Sequence, residues 1–143
     1  MKSLRDICTN KNMFYVKTGM TVYEVVNEMA KNNIGAVPVL DDGGKLKGIF
    51  SERDLMIRCA ARKINMEITP IEEVMTRGVI LMEAHDSYND CMKIMQQEGI
   101  RHMPVRDGEK LIGVVSMRDL MQEDAEEKKQ EIENLNSYIY YYK

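Results

Sequence analysis

The sequence predicts an α+β protein built from two copies of one unit, strand–helix–strand–strand–helix, followed by a helical tail. The first observation is an internal repeat in which an apolar run containing Pro38 aligns with one containing Pro104. The second is a ten-residue stretch that occurs at 47–56 as KGIFSERDLM and at 112–121 as IGVVSMRDLM. The third is composition: 143 residues with 44% hydrophobic and 30% charged side chains suit one compact domain or two packed halves.

Each unit is expected to begin with a lead-in segment, at 4–9 and 71–76, followed by short extended pieces at 13–16 and 79–82. Thr21 and Ser87 are predicted N-caps, because each precedes apolar residues at helical spacing. The apolar positions of these two helices are Val22, Val25, Val26 and Met29 in the first, and Tyr88, Cys91, Met92 and Met95 in the second.

A proline stands inside the apolar run 34–40. Because proline cannot donate a hydrogen bond to a strand ladder, we expect an edge strand or a strand exposed on that side. Turn residues at 41–44 and 107–108 predict hairpins to the next strand. A second helix is expected at 52–61, and the polar linker 62–69 leads to the second copy.

The predicted boundaries are 1–65 for the first repeat with its linker, 66–122 for the second repeat and 123–143 for the tail. The tail carries a narrow apolar stripe of Ile132, Leu135 and Ile139. It either folds back on its own domain or supplies a dimer contact, and its acidic charges disfavour a membrane-binding role. Residues 138 and 140–143 are expected to be a frayed end.

The repeated motif places a serine at the start of a helix, an arginine two residues later and an aspartate three residues later. A helix N-terminus with a serine hydroxyl and a nearby arginine favours an anion, and an aspartate can accept hydrogen bonds from a diol such as ribose. Each copy is therefore suited to hold a sugar phosphate. The alternative is that both serines are ordinary N-caps. The residues concerned are Ser51, Arg53 and Asp54 in the first copy, and Ser116, Arg118 and Asp119 in the second.

Other function classes find little support. Cys8, Cys59 and Cys91 are far apart and form no Cys-x-x-Cys pair, which argues against a zinc site or a disulfide framework. We find no nucleophile–base pair, metal-ligand cluster or phosphate loop, so we predict no enzyme, no catalytic cofactor and no metal.

The net charge of −3 disfavours nucleic-acid binding. With no membrane-length apolar run and no apolar signal region, the expected compartment is the cytoplasm.

The duplicated Gly-hydrophobic-x-Ser-x-x-Asp motif, each copy preceded by a proline-containing strand, resembles a tandem pair of CBS domains (a Bateman module) over residues 7–121. The resemblance implies pseudo-twofold symmetry, a homodimeric disc and two clefts. It also implies an adenosyl ligand such as AMP, ADP, ATP, S-adenosylmethionine or NAD, and a regulatory, energy-sensing role toward an unknown protein. The alternative is a protein-interaction module with vestigial clefts, acting through its dimer surface and C-terminal helix.

The resemblance also assigns site residues, with the aspartate on the ribose and the serine facing the phosphate. It places Arg101 and His102 as phosphate contacts, although His102 is alternatively a surface side chain. The cleft with Arg101 and His102 would prefer more phosphates, and the other would bind weakly or be empty. One implied cleft combines Val114, Ser116, Arg118 and Asp119 with Gly35, Ala36, Val37 and Pro38; the other combines Ile49, Ser51, Arg53 and Asp54 with Arg101, His102, Met103 and Pro104.

Overall fold

The predicted unit occurs twice in a computed structural model that describes residues 2–8 and 13–141, with side chains described as far as residue 137. The α+β fold with two repeats and a C-terminal helix is confirmed. The first repeat consists of β1 (Val16–Lys17), α2 (Val22–Asn32), β2 (Ala36–Leu40), β3 (Leu46–Ser51) and α3 (Glu52–Asp54), which continues as a π-helical stretch (Leu55–Ala60). The second consists of β4 (Met82–Glu83), α4 (Tyr88–Glu98), β5 (His102–Asp107), β6 (Lys110–Ser116) and α5 (Met117–Tyr141). Helix α1 (Leu4–Cys8) precedes the first repeat, and a short 3-10 helix (Ile71–Glu73) precedes the second.

The two sheets have the same topology, β1-β2-β3 and β4-β5-β6. In each sheet the short first strand is parallel to the middle strand, and the middle strand is antiparallel to the third. The register shifts at the equivalent place in both, between Val39 and Leu40 and between Val105 and Arg106. The repeat seen in the sequence is therefore also a repeat of backbone geometry.

The expectation of an edge strand at Pro38 is wrong, because β2 is the middle strand of its sheet. The proline is tolerated because β1 is only two residues long and pairs with Val39 and Leu40. Within the described residues no strand pairs with Pro38 on the β1 side, so the missing N–H leaves no ladder bond unmade. The alternative expectation, a strand exposed on the side of the proline nitrogen, agrees with the observed pairing of β2.

Both predicted helix starts are found. The Thr21 hydroxyl accepts a hydrogen bond from the Glu24 N–H, and the Ser87 hydroxyl accepts one from the Asp90 N–H. Helix α2 ends at Asn33 in the left-handed region (φ 53°), and α4 ends similarly at Gly99 (φ 67°).

The lead-in segments are exchanged between the repeats. Helix α1 precedes the first repeat but packs in the core of the second, whereas residues 71–75 precede the second and pack in the core of the first. The exchanged core residues are Leu4, Ile7 and Cys8 in one direction, and Ile71, Val74 and Met75 in the other. Thr9, the last residue of the first predicted lead-in, lies outside the described residues.

The tail is continuous with the second motif helix, since α5 runs unbroken for 25 residues. Its first residues, up to 127, contact helix α4 of the same repeat, whereas side chains 128–137 are all exposed. The side chains of Ile139 and of the predicted frayed end lie outside that range. No helix in the described residues is long and apolar enough to cross a membrane.

Candidate functional site

A cleft of about 560 Å³ opens between the two repeats. Its walls come from β2 and the segment before it, from β6 and the start of α5, and from the N-terminal region. The lining residues are Cys8, Met13, Phe14, Asn33, Ile34, Gly35, Ala36, Pro38, Glu52, His102, Ile112, Gly113, Val114, Ser116, Arg118 and Asp119.

The serine and the aspartate of the second motif sit at the start of α5. The Ser116 N–H donates to Asp119 Oδ2 (2.9 Å), and the Asp119 N–H donates to Ser116 Oγ (3.0 Å). These reciprocal bonds fix the carboxylate at the helix N-terminus, where the helix dipole favours negative charge. Asp119 remains partly exposed in the cleft, beside the exposed side chain of Arg118.

The first repeat supplies the facing wall. Gly35, Ala36 and Pro38 line the cleft, as the resemblance implied, but Val37 is fully buried in the core of its repeat. Side chains alternate across a strand, so Val37 cannot share the face of its two neighbours.

His102 lines the cleft of Asp119, whereas the sequence assigned it to the cleft of Asp54. Burial lowers the pKa of His102, although the nearby carboxylates of Asp119 and Glu52 act to raise it and Arg101 acts to lower it. The imidazole is therefore neutral at neutral pH. Arg101 is exposed and is not part of this lining, and Met103 and Pro104 are buried.

The surroundings of Asp54 differ from those of Asp119 despite the identical motif. Asp54 is 8% exposed, and its Oδ2 accepts hydrogen bonds from the Ser51 N–H (3.0 Å) and hydroxyl (3.1 Å). Its Oδ1 accepts one from the Thr76 hydroxyl (3.0 Å) and lies 3.6 Å from Arg58 Nε. A diol at this carboxylate would have to displace Thr76.

The remaining predicted residues of this second site differ in their exposure. Ile49 is buried, and its N–H donates to the carbonyl of Thr76 (3.0 Å), which belongs to the lead-in segment 71–76. Arg53 is exposed on α3. The cleft described above is the one that contains Gly35 and Ala36. Which of the two predicted clefts binds a ligand more strongly stays a prediction.

Glu52 is one of several lining residues that were not predicted from the sequence. Its N–H donates to the Gly35 carbonyl (2.9 Å), and its side chain lies over that glycine. Its place directly after the N-cap Ser51, within the repeated motif, was the available signal. Within residues 2–8 and 13–141, no three His, Cys, Asp or Glu side chains lie together as a metal site.

Comparison with known proteins gives one consistent family. The CBS domain profile matches residues 4–60 and 71–126. CBS domain-containing protein YhcV of Bacillus subtilis is 32% identical over 120 residues, 84% of each chain. A protein with CBS domains from Burkholderia ambifaria superimposes with a TM-score of 0.79 at 33% identity, over 85% of this chain and 93% of that one. The CBS domain pair of protein MJ0100, in complex with 5′-methylthioadenosine and S-adenosylmethionine, gives 0.78 at 26% identity, over 89% and 98%.

Proposed function

The chain belongs to the CBS domain family, as the duplicated motif indicated, and we propose that it is a non-catalytic regulatory module that binds an adenosyl ligand in the cleft lined by Asp119. The observation that carries this proposal is the contrast between the two motif aspartates. Asp119 is held by its capping bonds and still reaches an open cleft, whereas Asp54 is enclosed.

The chemistry of the cleft suits a nucleoside. The Asp119 carboxylate is an acceptor for the two hydroxyls of a ribose, and Ser116 and Arg118, which line the same cleft, offer a hydroxyl and a guanidinium to a polar 5′ substituent. Ala36, Pro38 and Ile112 offer an apolar surface for a purine. A related CBS pair that holds 5′-methylthioadenosine and S-adenosylmethionine supports this class of ligand.

A ligand in this cleft would touch both repeats and the first turn of α5. It would favour the relative arrangement of the repeats to which it binds better, and the long helix would carry that change to a partner. The proposal also includes that the protein forms a homodimer, regulates an unidentified protein and acts in the cytoplasm.

The test is calorimetric titration of protein purified free of carried-over ligand with 5′-methylthioadenosine, S-adenosylmethionine, AMP, ADP, ATP and NAD. We expect micromolar binding of at least one, reduced at least tenfold by Asp119→Asn and weakened by Arg118→Gln. The matched control is Asp90→Asn, which changes an exposed aspartate at the same helical position of α4, outside the cleft. Asp54→Asn, measured in parallel, reports on the second motif.

No heat from any of these compounds, with the protein shown to be folded by circular dichroism, would reject an adenosyl ligand. Binding that survives Asp119→Asn but not Asp54→Asn would move the site to the other motif.

The second candidate function is a protein-interaction module. It is favoured by the exposed stripe on α5, where Ile132 and Leu135 are each 59% exposed. Removal of residues 131–143 separates the two functions. A ligand sensor keeps its affinity after this truncation, whereas an interaction module loses its assembly.

A further inference from the structure

The charged side chains that line the cleft carry more negative than positive charge. Two are carboxylates, Glu52 and Asp119, and one is a guanidinium, Arg118. His102 is held neutral by burial, and the exposed Arg101 stands close to it outside the lining. A ligand with several phosphates would therefore meet more carboxylates than cations on the cleft wall.

Glu52 lines the cleft with an exposed side chain, and its position follows from the backbone of the first repeat. Its backbone is tied to the Gly35 carbonyl, and its Oε1 lies 2.8 Å from the position that a Cβ at residue 35 would occupy. Gly35 thus leaves the space into which the carboxylate of Glu52 folds. Any larger residue at position 35 would displace that side chain.

The second repeat has the opposite chemistry at the equivalent places. Arg101 stands where the first repeat has Gly35, and Met117 stands where it has Glu52. The backbone contact is nevertheless the same, because the Met117 N–H donates to the Arg101 carbonyl (2.8 Å) as the Glu52 N–H does to Gly35. The two repeats share a fold here and differ in charge.

We infer that Glu52 is a specificity-determining residue of the Asp119 cleft, which selects adenosyl compounds with a neutral or cationic 5′ substituent over nucleotides with one or more phosphates. This inference rests on the proposed adenosyl site and names its ligand class. The carboxylate of Glu52 attracts the sulfonium of S-adenosylmethionine and repels the phosphate of a nucleotide. It has no charge–charge interaction with the thioether of 5′-methylthioadenosine.

The experiment compares Glu52→Gln with wild type by calorimetric titration of AMP, ATP, S-adenosylmethionine and 5′-methylthioadenosine at low and moderate salt. We expect the variant to bind AMP and ATP more tightly, by about tenfold at low ionic strength and less as salt screens the charge. Affinity for S-adenosylmethionine should fall several-fold, and affinity for the uncharged 5′-methylthioadenosine should stay within about twofold.

Glu67→Gln is the matched control, since it removes the same charge from an exposed residue outside the cleft. Equal changes in Glu52→Gln and Glu67→Gln, or unchanged ratios among the four ligands in Glu52→Gln, would overturn the role of Glu52 while leaving the adenosyl site intact. If no compound binds wild type or Glu52→Gln, the adenosyl site itself is rejected, and the inference with it.

Discussion

The glycine of the repeated motif is required by close packing and not by backbone conformation. A Cβ at Gly48 would lie 2.6 Å from the Thr76 carbonyl oxygen and 2.8 Å from Met75 Sδ. At the equivalent Gly113, a Cβ would lie 3.1 Å from Cys8 Sγ. The first contact involves main chain that is itself bonded to Ile49, so it cannot yield easily, whereas the second involves only a side chain.

Gly48→Ala is therefore expected to lower the free energy of unfolding by about 1–3 kcal/mol, as for other insertions into packed cores. Gly113→Ala should cost clearly less, because the described contacts of its methyl group are with one side chain. Urea unfolding followed by circular dichroism measures both. Equal losses in the two variants would show that the Thr76 main chain is not the obstacle.

Identical motifs do not guarantee identical sites. The sequence therefore predicts which residues form the two motifs, but not how each motif is surrounded in the fold. The sequence identified Asp54 and Asp119 as an equivalent pair and correctly indicated the serine–aspartate capping geometry of both. It did not predict that Thr76, 22 residues from Asp54, donates to one of the two carboxylates. That contact depends on the path of the lead-in segment 71–76, which periodicity and capping signals do not encode.

At the scale of elements, the helices were predicted better than the strands. Capping residues marked the starts of α2 and α4, because the signal and its bonding partner lie within one turn. The extended pieces predicted at 13–16 and 79–82 each overlap an observed strand by only their last residue, because β1 and β4 are two residues long. Strand position is set by tertiary pairing, so the proline at 38 predicted either an edge strand or a strand exposed on one side, and only the second describes the middle strand β2.

Helices α4 and α5 are joined by a buried hydroxyl. Tyr88 on α4 is 1% exposed, and its hydroxyl donates to the carboxylates of Asp124 (3.3 Å) and Glu127 on α5. Tyr88→Phe should lower the free energy of unfolding by about 1–2 kcal/mol, because charged acceptors lose a buried donor but retain some access to water. Tyr23→Phe, at a 49% exposed position, is the control for chemical denaturation and should have little effect.

Tyr88 should also make the stability of the folded state depend on pH, and the direction follows from its raised pKa. Burial, followed by the hydrogen bond to Glu127, raises the pKa of Tyr88 well above its ordinary value of 10.0. Above about pH 10 the unfolded chain ionises this phenol and the folded chain does not, so the folded state loses stability as pH rises. The difference in unfolding free energy between wild type and Tyr88→Phe should therefore shrink above pH 10. A constant difference from pH 8 to pH 11 would contradict a buried, neutral phenol.

At the scale of the whole molecule, the two lead-in segments are exchanged. The core of each repeat therefore depends on a segment that precedes the other repeat in the chain. Leu4, at the start of the chain, is fully buried in the core of the second repeat. Ile71, just before the second repeat, is fully buried in the core of the first. The two repeats are consequently linked by crossed segments as well as by the cleft between them.

Leu4→Ala and Ile71→Ala should each cost about 2–5 kcal/mol, the range for large-to-small changes in packed cores. Hydrogen exchange measured by mass spectrometry under native conditions should place the loss of protection in the opposite repeat. Leu4→Ala should expose the amides of β5 and β6 before those of β2 and β3, and Ile71→Ala should do the reverse. The control is Ile68→Ala, because Ile68 is 72% exposed and close in sequence to Ile71. Loss of protection that follows chain order, with Leu4→Ala opening the first repeat, would contradict the exchange, and equal loss in both repeats would show that the two cores open as one unit.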